Sequence, residues 1–300
     1  MDFSFNVRII LLLLQTSIGA LGNAFILIVY ALTEKHLKTV DTILCHLVFA
    51  NVLRLLPNGV TQIMNDLGLK HILDDAGCKL VYYSTRIARG VSICMTSFLS
   101  VYQAITLAPS SGQWLFLKSN AQKNSISYII GFWLFNMLLS TPVLIIMFAA
   151  TNNSSTTAIY KLGFCYSKDI DPMFNVTYLL FMNGHDIFFM GLMLLSSVYI
   201  LHVLKRHGKQ VQYIHSMSQN PKLTAERTAA KNIIKLVTLY VFLFGVDTGF
   251  MVYTNNLLVV PTLLEEVRVF ISSCYALLSP FLIISFNKKM YGKLRYPYKR

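Results

Sequence analysis

Seven apolar runs, at 7–32, 42–64, 77–107, 126–150, 177–204, 230–254 and 267–286, dominate the chain. Each supplies the ~20 residues a helix needs to cross a ~30 Å hydrocarbon core. In that core every backbone N–H and C=O must be satisfied within the segment, which leaves the helix as the spanning element. The expectation is an all-α membrane protein, one seven-transmembrane helix bundle occupying residues 1–300. Only 13% of the residues are charged, against about a quarter in soluble domains, so most of the surface does not face water. The first run is too long, and lacks the basic flank, for a cleavable signal peptide. It is read as its own insertion signal.

A net charge of +13 would suggest nucleic acid in a soluble protein. Here its distribution excludes that reading. Sixteen of the 26 lysines and arginines follow spans one, three, five and seven, densely at Lys205, Arg206 and Lys209 and in the 288–300 tail. The opposite side is acidic, with Asp66, Asp74, Asp75, Asp169, Asp171, Glu265 and Glu266. The positive-inside rule then puts the N-terminus outside and the C-terminus inside. Two further features agree with this orientation. Sequons at Asn152, Asn153 and Asn175 all fall in the second outer loop, with Asn153 and Asn175 the glycosylation candidates. Of the five cysteines, Cys45, Cys94 and Cys274 lie in apolar runs, while Cys78 and Cys165 share the oxidising side, so a Cys78–Cys165 disulfide is the natural pairing.

No paired Gly/Pro-interrupted segments occupy matching places in two halves, the usual pointer to an alternating-access transporter. The stretch "CKLVYYSTRIARGVSICMTSFLSVYQAITLAP" (78–109) instead resembles the third helix of vomeronasal type-1 pheromone receptors. "HGKQVQYIHSMSQNP" (207–221), "GLMLLSSVY" in span five and "FCYS" around Cys165 are similar to the same family. The resemblance covers nearly the whole chain. It implies a multi-pass G-protein-coupled receptor of the plasma membrane, not an enzyme, without cofactor or metal. Its partners would be small chemosensory, pheromone-like ligands and a heterotrimeric G protein of the inhibitory class, with the lipid bilayer around it. Gly22-Asn23, Asn51 and Ser279-Pro280 resemble rhodopsin-like receptors at greater distance. Span three, however, ends in Ser100-Val101-Tyr102-Gln103 rather than Asp-Arg-Tyr, so no ionic lock is carried over. Tyr102, Gln103 and the 205–231 loop with His215 and Ser216 are the candidate G-protein face.

The chemistry concentrates in span three, where Arg86 and Arg89 sit in a segment meant for lipid. Insertion scales charge roughly 2.5–3.5 kcal/mol for a central arginine, so such residues face the bundle interior. At 100° per residue, Tyr82, Arg86, Arg89, Thr96, Ser100 and Gln103 share an arc of about 100°. A rise of 1.5 Å per residue puts Arg86, Arg89, Arg54, Asp186 and Asp247 in one layer roughly 10–17 Å below the outer surface, with His185. Two readings stay open: an outward-open ligand pocket floored by Tyr82, Arg86, Arg89, His185, Asp186 and Asp247, or an ion-pair network that fixes packing. At least one of Arg86 and Arg89 is expected to pair with an acid of span five or six, Asp247 ahead of Asp186.

Other classes have less support. Asp247-Thr248-Gly249 is a triplet used by aspartic proteases, but the second Asp-Thr-Gly needed for a shared-proton dyad is missing. A channel or transporter rests on the intramembrane charges alone. A non-signalling seven-helix partner of other receptors is the alternative that the sequence separates least well.

Overall fold

A computed structural model describes residues 3–33, 38–69, 73–109, 112–149, 158–162, 165–168, 171–213, 221–255 and 262–286. Its elements are α1 (Phe3–Thr33), α2 (Thr39–Asp66), α3 (Asp75–Leu107), α4 (Gln113–Lys123), α5 (Ser125–Ser140) and α6 (Val143–Ile146). A hairpin-like sheet of β1 (Met147–Ala149), β2 (Ala158–Leu162) and β3 (Cys165–Lys168) follows, then α7 (Pro172–Tyr213), α8 (Pro221–Asn255) and α9 (Thr262–Phe286). Among the described residues, seven helices are long and apolar enough to cross a membrane. Leu21, Leu32, Leu138 and Leu195 are exposed on their outer faces, as lipid contact requires.

Helix α3 is the axis of the bundle. It packs against α2, α5, α7 and α8, and from Ile87 to Ser97 every residue is buried. Its sequence suits a central position: Ala88, Gly90, Ser92 and Ser97 are small, which lets neighbouring backbones approach where lipid offers no hydrophobic drive. The expected polar edge is present, but the helix is enclosed on all sides rather than along one stripe.

The contact of α1, α2 and α9 is made by amides. Asn23 donates to the carbonyls of Gly19 and Ala276, each at 2.7 Å, while Asn51 donates to Ser279 Oγ at 2.9 Å and more weakly to Asn23 Oδ1 at 3.4 Å. Pro280 lies over Gly22, where an added Cβ would sit 3.2 Å from its ring. These are the residues that resembled rhodopsin-like receptors, and they form one interhelical clamp.

Span four, expected as one helix over 126–150, is broken. Its helix stops at Ser140, Thr141 and Pro142 turn, and after the short α6 the chain becomes strand β1. Pro142 cannot donate into the preceding turn and its ring clashes with the carbonyl four residues back. Met147–Ala149 then pair antiparallel with Cys165–Ser167, and β2 flanks β3 on the other side. Hydropathy does not distinguish this apolar strand from a continued helix. The opposite error occurs at 205–231, expected as a loop: α7 continues to Tyr213 and α8 begins at Pro221. Lysine, arginine, glutamine and leucine leave the bilayer without leaving the helix, because all four are good helix formers.

The sheet is fastened to α3. Cys78 and Cys165 are joined by a disulfide with Cα atoms 5.8 Å apart. Asp74 caps α3 by accepting from Gly77 N–H at 2.7 Å, and Asp75 accepts from Ala149 N–H of β1, also at 2.7 Å. This is called the disulfide end of the bundle. At the other end, Lys118 of α4 donates to the Ala108 carbonyl at 2.7 Å. There the Trp114 ring stacks on Tyr199 of α7 at 5.9 Å between centroids. Trp114 thus braces α4 on the bundle.

Candidate functional site

Four helices bring charge to the middle of the bundle. Arg89 of α3 bonds the Asp247 carboxylate of α8 through Nη1, and its Nη2 lies 3.4 Å from Asp186 of α7. Arg54 of α2 approaches the same Asp247 oxygen at 3.8 Å. These four side chains are at most 10% exposed, and their two positive and two negative charges cancel. The network continues sideways. His185 Nδ1 sits 3.0 Å from Asp186 Oδ1, and its Nε2 is 3.5 Å from the Cys94 sulfur. Asn136 of α5 donates to that sulfur at 3.4 Å and to the Phe132 carbonyl at 2.8 Å. One polar chain therefore runs from α2 through α8, α3 and α7 to α5.

Arginine suits the centre of this chain because its planar fork engages two carboxylates at once and stays charged when poorly hydrated. Its face is also used: Arg89 Cζ lies 4.2 Å from the centroid of Phe244. Phe244 stacks on Tyr240 at 5.3 Å, and Tyr240 meets Tyr275 edge-on at 4.4 Å. The space left beside Arg54, Asp247, Tyr240 and Tyr275 is about 10 Å³, roughly what one water needs. That space takes nothing larger than a water.

The candidate residues separate into three groups. Arg89, His185, Asp186 and Asp247 are joined in the network. Arg86 and Tyr82 stand further toward the disulfide, both half-buried. Tyr82 packs against the cluster of Cys78, Cys165, Val143 and Met147. At the opposite end Tyr102 is half-buried, edge-on to Phe98 at 6.4 Å. Gln103, expected on a G-protein face, is 6% exposed and accepts from Thr106 at 3.4 Å. At this end α7 and α8 close over α3 through Ala104, Ile200 and Ala230. Asn175 lies in the first turn of α7. His215, Ser216 and Asn153 lie outside the described residues.

Residue reasoning had put Arg54 in the layer without making it a site candidate, and passed over Cys94, Asn136, Phe244, Tyr240 and Tyr275. Asn136 had a signal, an amide at the centre of the apolar run "GFWLFNMLLS". The aromatics had none, since a ring reads the same against lipid as against a guanidinium.

Seven helices long and apolar enough to span, with α3 central among them and a small sheet tied to it by a disulfide, define the class as a seven-helix membrane bundle. The sequence matches the vomeronasal organ pheromone receptor family over residues 5–295. The chain belongs to that family, one of chemosensory G-protein-coupled receptors seated in the plasma membrane. It is 39% identical over 303 aligned residues to olfactory receptor class A-like protein 1 of Danio rerio, covering 98% of this chain and 93% of that protein. It is 31% identical to vomeronasal type-1 receptor 3 of Homo sapiens, covering 95% and 91% of the two chains. Human vomeronasal type-1 receptor 4 is also 31% identical, with 95% and 96% covered.

Proposed function

We propose that the chain detects small chemosensory ligands at its disulfide end, which faces outside. On this reading the Arg89 network is the latch through which ligand occupancy reaches an inhibitory-class heterotrimeric G protein at the other end. The observation that carries the reading is the sharing of Arg89 between Asp186 of α7 and Asp247 of α8. Three helices are held in one relative position by a single side chain. A ligand that draws on that guanidinium shifts an equilibrium between two arrangements by its differential affinity for them. The end that must open is the one now closed by Ala104, Ile200 and Ala230.

The network is suited to a switch because it contributes little net stability while intact. Buried ion pairs roughly break even against desolvation, whereas stranding one partner costs about 3–5 kcal/mol. The test is a double-mutant cycle with Arg89→Gln and Asp247→Asn, read as folded surface receptor and as basal nucleotide exchange on a co-reconstituted inhibitory-class G protein. Each single substitution is expected to lower surface receptor and alter basal exchange, with the double recovering part of both. Strictly additive losses would mean the two groups do not act as a pair. Normal ligand responses with a stimulatory-class G protein alone would overturn the coupling assignment.

A further inference from the structure

We propose that Cys94 of α3 and His185 of α7 form a binding site for a soft monovalent metal ion, copper(I) or silver(I) in type, held between the two helices. The site depends neither on ligand binding at the disulfide end nor on G-protein coupling. The Cys94 sulfur lies 3.5 Å from His185 Nε2, and His185 Nδ1 lies 3.0 Å from Asp186 Oδ1. The protonation of the ring follows from these partners. Asp186 faces Arg89 at 3.4 Å as a carboxylate, and a carboxylate only accepts. Nδ1 therefore carries the proton, and the Nε2 lone pair is turned to the Cys94 thiol, which donates to it. A carboxylate that orients one imidazole nitrogen and leaves the lone pair of the other to ligate is the common support of a metal-binding histidine. On its other side the sulfur accepts from the Asn136 amide at 3.4 Å, which favours the charged form of the thiol.

The kind of ion follows from charge, donor number and surroundings. On entry a metal–sulfur bond forms, the S–H bond breaks, and the proton leaves to solvent. A monovalent ion thus keeps the charge of the layer unchanged, whereas a divalent ion adds one positive charge where burial makes it costly. Zinc also takes four donors as a rule, and among the described residues no group of three or more His, Cys, Asp or Glu is placed to hold a metal ion. Thiolate beside imidazole suits copper(I). Cys94 is fully buried, and the His185 ring lies 5.6 Å from Phe135 and 4.8 Å from Phe189 between centroids. Those walls replace none of the water that a hard cation must give up. Donors 3.5 Å apart subtend about 110° at an ion with bonds of ~2.3 Å to sulfur and ~2.0 Å to nitrogen. No backbone shift is needed to reach that geometry.

The experiment uses the full-length receptor in nanodiscs, in chloride-free buffer, with Cys45→Ser and Cys274→Ser so that Cys94 is the free thiol left among the described residues. The probes are silver(I), copper(I) and zinc(II), each read after equilibration against a competing chelator. One silver ion is expected per receptor, with one proton released and a raised thermal unfolding midpoint. Zinc is expected to bind about tenfold or more weakly. Cys94→Ala should abolish binding, and His185→Gln should weaken it about tenfold or more while leaving the thiol in place. X-ray absorption of the copper(I)-loaded receptor with its native His185 is expected to show one sulfur and one imidazole nitrogen as neighbours, a readout that does not depend on how the variants fold. Silver binding unchanged in His185→Gln, zinc binding as tightly as silver, a copper shell without imidazole, or no ion taken up would each overturn the site.

Discussion

At the scale of single residues, the most exacting position is Gly90. A Cβ placed there would fall on the side-chain amide of Asn136, which is itself held by the Phe132 carbonyl at 2.8 Å and the Cys94 sulfur at 3.4 Å. The close approach of α3 and α5 therefore depends on a missing side chain opposite a fixed one. Gly90→Ala is expected to cost about 1–3 kcal/mol as overpacking. Because the obstructing atoms belong to one side chain, Asn136→Ala should relieve most of that cost, which non-additive unfolding midpoints of the two singles and the double would show. A second residue-scale expectation concerns Arg89. Lysine keeps the charge but offers no fork for two carboxylates and no planar face for Phe244. Arg89→Lys should recover less than half of the folded surface receptor lost in Arg89→Gln.

Among the elements, the strand lid and α3 depend on one another. The lid is short, three strands of three to five residues, and so small a sheet is marginal alone. Among its attachments are the disulfide and the Asp75 bond to Ala149, and both lead to the first turn of α3. The disulfide closes a separation of 87 residues, for which loop-closure entropy gives on the order of 4–5 kcal/mol. Membrane insertion already restricts the unfolded chain, so a smaller loss is expected for Cys78→Ser with Cys165→Ser. The loss should also be local. Hydrogen exchange is expected to rise at 147–149 and 165–168 and to stay unchanged at 90–100, whereas equal loosening of both would show that the lid is part of the bundle's cooperative core.

For the molecule as a whole, two ends and one layer carry the proposed function. Asn153→Gln is expected to abolish a glycosidase-sensitive mobility shift, which places the disulfide end outside; persistence of the shift with Asn175→Gln removing it would move the glycan without moving the topology. At the other end, α7 runs on to Tyr213 and α8 begins at Pro221, so both helices extend into the basic stretch between spans five and six. Replacing residues 207–221 by a neutral linker of equal length should keep the receptor at the surface and lower nucleotide exchange about tenfold or more, since oriented positive charge and helix ends are lost together. Unchanged exchange with unchanged surface level would remove this segment from the G-protein face.

Much of this architecture was legible in residue order. Span count follows from apolar length, a property each segment has by itself, and the family follows from local strings such as "TRIARGVS". The presence of Arg54, Arg89, Asp186 and Asp247 at one depth also follows, because helical rise converts residue number into height. Height, however, says nothing about direction around the bundle axis. Only the tertiary structure decided that Asp247 is shared by two arginines and that Asp186 also holds His185. The same limit applies at the break at Pro142 and the continuation of α7 to Tyr213. Hydropathy measures where the chain leaves lipid, while the end of a helix is set by hydrogen bonds and neighbours that no single segment contains.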